Sequence, residues 1–183
     1  MNRSLDEMRA AVTKVLPATL EDLKTLVAIP SVGAQPEHAA DLARSADTVA
    51  EWFRLAGSPD AQVVQQGGGP AVLAHFPGPE GAPTVCLYSH HDVQPSGDEQ
   101  LWTSSPWQPA ERDGRLYGRG AADDKGGVGV HLAALRAFDG KPPVNVTVLI
   151  EGEEEMGSPT LATILDAHRE ELLKTAFATG KVE

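Results

Sequence analysis

Gly118-Arg-Gly-Ala-Ala-Asp-Asp-Lys-Gly-Gly127 decides how this chain is read. It sets two carboxylates and a lysine at the mouth of a glycine-rich turn, and helical spacing begins at Gly126. Val128, Leu132, Leu135 and Phe138 then share one face. On the N-terminal side, the apolar run Thr84-Val-Cys-Leu-Tyr-Ser89 ends at His90-His91-Asp92. On the C-terminal side, the β-branched run Val144-Asn-Val-Thr-Val-Leu-Ile150 ends at Glu151-Gly-Glu-Glu-Glu155. Strand, helix, strand is the pattern of an α/β fold. His, Asp and Glu placed after successive strands fall where open α/β sheets collect ligands.

The flanks extend this pattern. Ser4 and Glu7 form a capping box ahead of Leu5, Met8, Val12, Val15 and Leu16 at helical spacing. Pro17 is expected to kink or break that helix, with a second stretch carrying Leu20, Leu23, Leu26 and Val27. Ile29-Pro30 ends it. A helix from about His38 to Ala56 presents Leu42, Ala46, Val49 and Phe53 and closes at Gly57. Gln62–Gln65 and Ala71–Phe76 read as strands around Gly67-Gly-Gly-Pro70. Residues 93–113 form a loop in which Trp102 and Trp107 serve as packing anchors, and Arg115-Leu-Tyr-Gly118 reads as a short strand into the Asp123 turn. Ser158-Pro159 predicts the N-cap and first turn of a last helix through Leu172. His38, His75 and His168 read as capping, strand and surface residues, not as ligands. The expected class is α/β with a mostly parallel sheet flanked by helices.

Composition narrows the function. The 183 residues are long enough for one domain with a sizeable core, and 41% are hydrophobic. A formal net charge of −11 with no basic patch argues against nucleic acid and anionic membranes. The single cysteine, Cys86, sits between Val85 and Leu87 and is expected to be a buried small hydrophobe. One cysteine allows no internal disulfide, which fits a reducing compartment. Residues 1–9 are polar and no apolar run is long enough to span a bilayer, so a cytoplasmic location is expected.

The three strand ends make chemical sense as one metal centre. Gathered carboxylates repel unless a cation compensates them. One imidazole among carboxylates suits zinc, manganese or cobalt better than calcium. His90 would ligate through a neutral ring nitrogen, and Asp92, two residues along an extended chain, would orient that ring. His91 points the other way and reads as structural. Asp123 in its tight turn would bridge two ions. Of the adjacent glutamates, one would bind metal while the other takes a proton from water. Each piece alone has an ordinary reading: a charged first helical turn for Asp123-Asp124, a solvated face for the glutamates.

At these residues the sequence resembles the M20 family of metallopeptidases. The segments that carry the resemblance are Ser89-His-His-Asp-Val-Gln-Pro95, Leu116–Gly127 and Leu149–Ser158, in a form similar to the dipeptidase branch. The resemblance implies a zinc-exopeptidase-like (phosphorylase/hydrolase-like) catalytic domain holding two zinc ions, or manganese or cobalt. Carried over by position, His90 is a ligand of the first ion, Asp123 the bridge and Glu155 a ligand of the second. Asp92 clamps the first ion's ligand, Glu154 is the general base, and the Asp123–Asp124 bond is a candidate cis peptide. The implied reaction is amide hydrolysis in a dipeptide or a small acylated amino acid. An M20 deacylase or carboxypeptidase is the alternative. The family also needs a further acidic ligand, a distant histidine and an inserted lid and dimerisation domain. None of these is found in residues 1–183, and the tail from Thr175 to Glu183 has no aspartate at the expected place. The resemblance covers roughly residues 5–173, and the chain is therefore expected to be an incomplete catalytic domain, truncated after about residue 174. As an isolated chain it is expected to be inactive, a metal-binding fragment.

Overall fold

The structure is a computed structural model, and residues 3–172 are described. Helix α1 covers Leu5–Val27 and starts in the expected capping box, with the Glu7 amide donating to Ser4 Oγ (3.3 Å) and the Ser4 amide to Glu7 Oε2 (2.6 Å). It does not break at Pro17. Proline removes one backbone bond, but residues on both sides of it lie along α3 (Lys125–Ala137), and that packing holds a single helix. Helix α2 (Ala39–Ala56) buries the predicted face: Leu42, Ala46, Val49 and Phe53.

The main sheet has the order β1 (Gln62–Val64), β2 (Ala71–Phe76), β6 (Asn145–Glu151), β3 (Thr84–His90). Its α/β class is as expected, but it is mixed, not mostly parallel. β1 pairs antiparallel with β2, β2 antiparallel with β6, and β6 parallel with β3. The reason is connection length. The β1–β2 loop is too short for a crossover, whereas α3 supplies one between β3 and β6. β4 (Ala110–Arg112) and β5 (Arg115–Tyr117) form a separate hairpin turning at Asp113-Gly114; β5 is the short strand expected at Arg115–Gly118, whereas β4 lies in the stretch that reads from sequence as loop.

Alternation along β6 gives the sheet two unlike faces. Val146, Val148 and Ile150 join Val72, Ala74 and Phe76 beneath α1, α2 and α3, where Phe53 meets Phe76 edge-on at 6.4 Å between centroids. Leu149 joins Ala71, Leu73 and Ile164 of α4 (Leu161–Ala167) on the other face. β3 is terminal in the sheet among the described residues, so Val85 and Cys86 are exposed, against the expectation of a buried strand. α4 begins at Leu161 with Thr160 as its N-cap, not at Ser158, because Ser158 takes φ +55°. The expectations for residues 175–183 lie outside the described residues. Among the described residues, no helix is long and apolar enough to cross a membrane.

Candidate metal centre

The parallel β3–β6 pair brings His90 opposite Glu151, so the two strand ends meet. α3 starts beside them, after a turn whose Asp123–Asp124 peptide bond is cis. His90, Asp92, Asp123, Glu154 and Glu155 converge here.

His90 is buried, and its Nδ1 lies 3.1 Å from the Asp92 carbonyl oxygen and 3.4 Å from Asp92 Oδ1. A carbonyl only accepts, so Nδ1 carries a proton and Nε2 is the nitrogen left to bind. Nε2 faces Asp123 Oδ1 at 3.2 Å and Glu154 Oε2 at 3.6 Å. Burial opposes charge on this ring, yet the Asp92 side chain and carbonyl, with Asp124 behind, raise it to about 9.

Asp92 is fully buried and does more than orient His90. Its Oδ1 accepts the Glu154 amide (3.2 Å) and its Oδ2 the Glu155 amide (3.0 Å). One carboxylate therefore sets the imidazole and both glutamates. Gln94 adds a bond from Nε2 to Glu155 Oε2 (2.9 Å) and another to the Glu155 carbonyl (3.0 Å). Glu155 is half-buried, whereas the Glu154 and Asp123 side chains stand open, 44% and 80% exposed, at the mouth.

The neighbouring residues support this arrangement. His91 is buried on the opposite side, with Nε2 donating to the Pro70 carbonyl (2.8 Å) and Nδ1 against Ser45 Oγ (3.1 Å). Burial lowers it to about 4, so it stays neutral. Gly152 has no room for a side chain, since a Cβ would come within 2.3 Å of the Pro70 carbonyl and 2.9 Å of His91 Nε2. Glu153 is not a solvated glutamate. It is buried and its Oε2 accepts Thr160 Oγ (2.5 Å) and the Thr160 amide (3.3 Å), which ties the glutamate turn to the start of α4. Glu151 is buried too, with Oε2 accepting the Tyr88 hydroxyl (2.7 Å) and Oε1 without a partner among the described residues. Burial and the Glu151 bond push the Tyr88 hydroxyl well up. The Glu151–Tyr88 pairing has no local sequence signal, because Tyr88 comes from another strand, whereas the Glu153–Thr160 pairing spans only seven residues, from the glutamate turn to the start of α4. Like the Glu151–Tyr88 pairing, the Gln94–Glu155 contact joins residues far apart in sequence, although Gln94 lies in the Ser89–Pro95 segment. The Trp102 and Trp107 indoles close the long loop onto itself through the Ser96 carbonyl and Glu99.

Comparison with known proteins identifies the family of the chain. A model of peptidase family M20/M25/M40 matches residues 86–179, just over half of the chain. The chain is 48% identical over 92 residues to a cysteinylglycine-S-conjugate dipeptidase of Corynebacterium striatum, covering 49% of this chain and 20% of the relative. It is 31% identical over 189 residues to the Cys-Gly metallodipeptidase dug1 of Schizosaccharomyces pombe, covering 96% of this chain and 40% of the relative. Among solved structures it superposes on human carnosine dipeptidase 1 with a TM-score of 0.82 at 30% identity, covering 96% of this chain and 40% of that one. The chain belongs to peptidase family M20/M25/M40, with its likeness on the dipeptidase side. It spans between a fifth and two fifths of the length of these relatives.

Membership implies a divalent metal, and the residues fit one. One ligand atom each from His90, Glu154 and Glu155 lie within 4.8 Å of one another. Asp123 stands outside that tightest group but touches the same imidazole nitrogen. A nitrogen donor with several carboxylates is a donor set for zinc and its neighbours.

Proposed function

We propose that the protein is a metal-dependent hydrolase that cleaves the amide bond of a dipeptide or a small acylated amino acid. The observation that carries this reading is Asp92, a buried carboxylate that holds His90 on one side and the amides of Glu154 and Glu155 on the other. A residue tied this way sets a ligand and a base at one distance, which pre-organised catalysis needs. His90, Asp123 and Glu155 are the residues to hold the metal, and zinc is the ion this donor set favours, two per complete centre. When bound, such a cation supplies Lewis acidity, acidifying water and polarising the scissile carbonyl.

The remaining work belongs to the chain. Nε2 of His90 binds once its proton has left, and Asp92 keeps the ring turned that way. Glu154 is open to the mouth, and its Oε2 faces His90 Nε2 at 3.6 Å, the nitrogen that would bind the metal, so it suits the general base. Its carboxylate takes a proton from the attacking water and returns it to the leaving amine. The buried Asp92 and Glu153 fix the backbone of the glutamate turn while Glu154 changes its proton.

Two measurements test this. Zinc titration of the chain by calorimetry is expected to show uptake that Asp123→Ala weakens or removes; identical uptake in both would defeat the assignment of Asp123. In a protein of the relatives' full length, Glu154→Gln is expected to abolish turnover of a dipeptide panel while retaining zinc. Residual turnover close to wild type would remove Glu154 from the mechanism.

A further inference from the structure

Lys125 is the first residue of α3, directly after the Asp123-Asp124 turn, and it is fully buried. Both facts run against ordinary placement. A cation is unfavourable at the positive end of a helix, and burying an ammonium carries a heavy desolvation cost. Its stem crosses instead to the far end of another helix. Nζ donates to the Leu26 carbonyl (2.9 Å) and the Ile29 carbonyl (2.6 Å), at the C-terminal, negative pole of α1.

The turn is built on that stem. The Lys125 amide donates to the Gly120 carbonyl (3.1 Å), and Gly120 takes φ +81°. A Cβ on Gly120 would lie 2.6 Å from Val93 Cγ1 and 3.2 Å from Lys125 Cδ. The turn thus lies pressed between the lysine stem and the chain just past Asp92. The segment that receives the ammonium also holds the other half of the centre. Ser31 Oγ donates to the His91 carbonyl (2.6 Å), the Val93 amide donates to the Ser31 carbonyl (3.0 Å), and Val32 bridges Val93.

We propose that Lys125 is a positioning residue for the metal centre: it anchors the Asp123 turn to residues 26–32, the same segment that holds His90–Asp92, and so fixes Asp123 against His90. The inference rests on the metal reading above for its effect on binding, but the anchor itself is independent of any ion.

The test compares Lys125→Met with Val128→Ala, a buried α3 residue that loosens the core without touching the ammonium. In the metal-free chain, Lys125→Met is expected to speed amide exchange at Ala121 and at residue 125 by about tenfold or more, beyond any change in global stability. Its zinc affinity is expected to fall by about 10–100-fold, the range for a lost supporting partner, while Val128→Ala stays within about threefold. Lys125→Gln, which keeps a shorter donor, is expected to fall between them and is read if the methionine variant does not fold. Wild-type exchange in the turn of the lysine variants overturns the anchor. Unchanged zinc affinity with a loosened turn, or an equal loss in Val128→Ala, overturns the positioning role. If the wild-type chain takes up no zinc, the metal reading fails, and the exchange comparison still decides the anchor.

Discussion

The middle and the carboxyl end of the β2–β6–β3 sheet are built from opposite chemistry. In the middle, Val72, Ala74, Phe76, Val146 and Val148 meet Phe53 and Val49 of α2, and stability comes from filled volume. At the carboxyl end of β3 and β6, His90, His91, Asp92, Glu151, Glu153 and, beside them, Lys125 are all buried. Stability there comes from partners: Pro70, Ser45, Thr160, Tyr88, and carbonyls of α1 and of the residues just past its end. An apolar contact tolerates small shifts, whereas a buried charge without its partner costs several kcal/mol. The site end is therefore the part where one lost bond is felt at a distance, and the middle is the part where one lost ring is felt as a cavity.

The largest expected effect breaks the middle. Phe53→Ala removes the ring packed edge-on against Phe76 and is expected to cost about 3–5 kcal/mol in urea unfolding. Zinc affinity of the molecules that remain folded is expected to hold. A parallel loss of affinity would mean that the two regions are not separable.

Acid probes the site end next. His91 is held down to about 4, below the usual value of 6.5, first by burial. The unfolded chain therefore binds this proton more readily than the folded one. The contribution is fully present above pH 6.5 and is lost as pH falls toward 4. Urea midpoints against pH, with the His91 ring followed by NMR, check it. A His91 that titrates near 6.5 would contradict the sealed environment.

Asp92→Asn keeps the volume and removes the charge that faces His90 and the two glutamate amides. Zinc affinity is expected to drop about 10–100-fold with the sheet core intact by circular dichroism. Wild-type affinity would show that Asp92 supports only the fold. The smallest effect belongs to the surface. Lys24 links Glu21 (2.7 Å) and Glu111 (2.5 Å) on the exposed side of α1. Lys24→Ala is expected to shift the unfolding midpoint slightly, and raised salt to erase the difference. A large shift that survives salt would mean a packing role for its stem.

Much of this was legible because it is local. The Ser4–Glu7 capping box, the buried stripe of α2 and the alternation of β2 and β6 follow from spacing of a few residues. So did the observation that His90, Asp123 and Glu154-Glu155 each follow a strand, which is why their meeting was expected. The motif segments were also long and specific enough to point to the family. What was misread depends on neighbours. Pro17 reads as a breaker, but α3 holds the helix through it. Cys86 reads as core, but β3 is the terminal strand among the described residues and leaves it open. The Asp92 bonds to Glu154 and Glu155 reach across a separation that no sequence window reveals.

The sequence by itself determined the periodic elements, the residue types at the strand ends and the family they belong to, since these are properties of short stretches and of their order. Only the tertiary structure decided that the sheet is mixed, that Glu153 and Lys125 are buried, and that one carboxylate holds an imidazole and two glutamates. The physical reason is that a polar side chain's state is set by its partners, and here those partners are supplied only when the strands, α1, α3 and the start of α4 pack together.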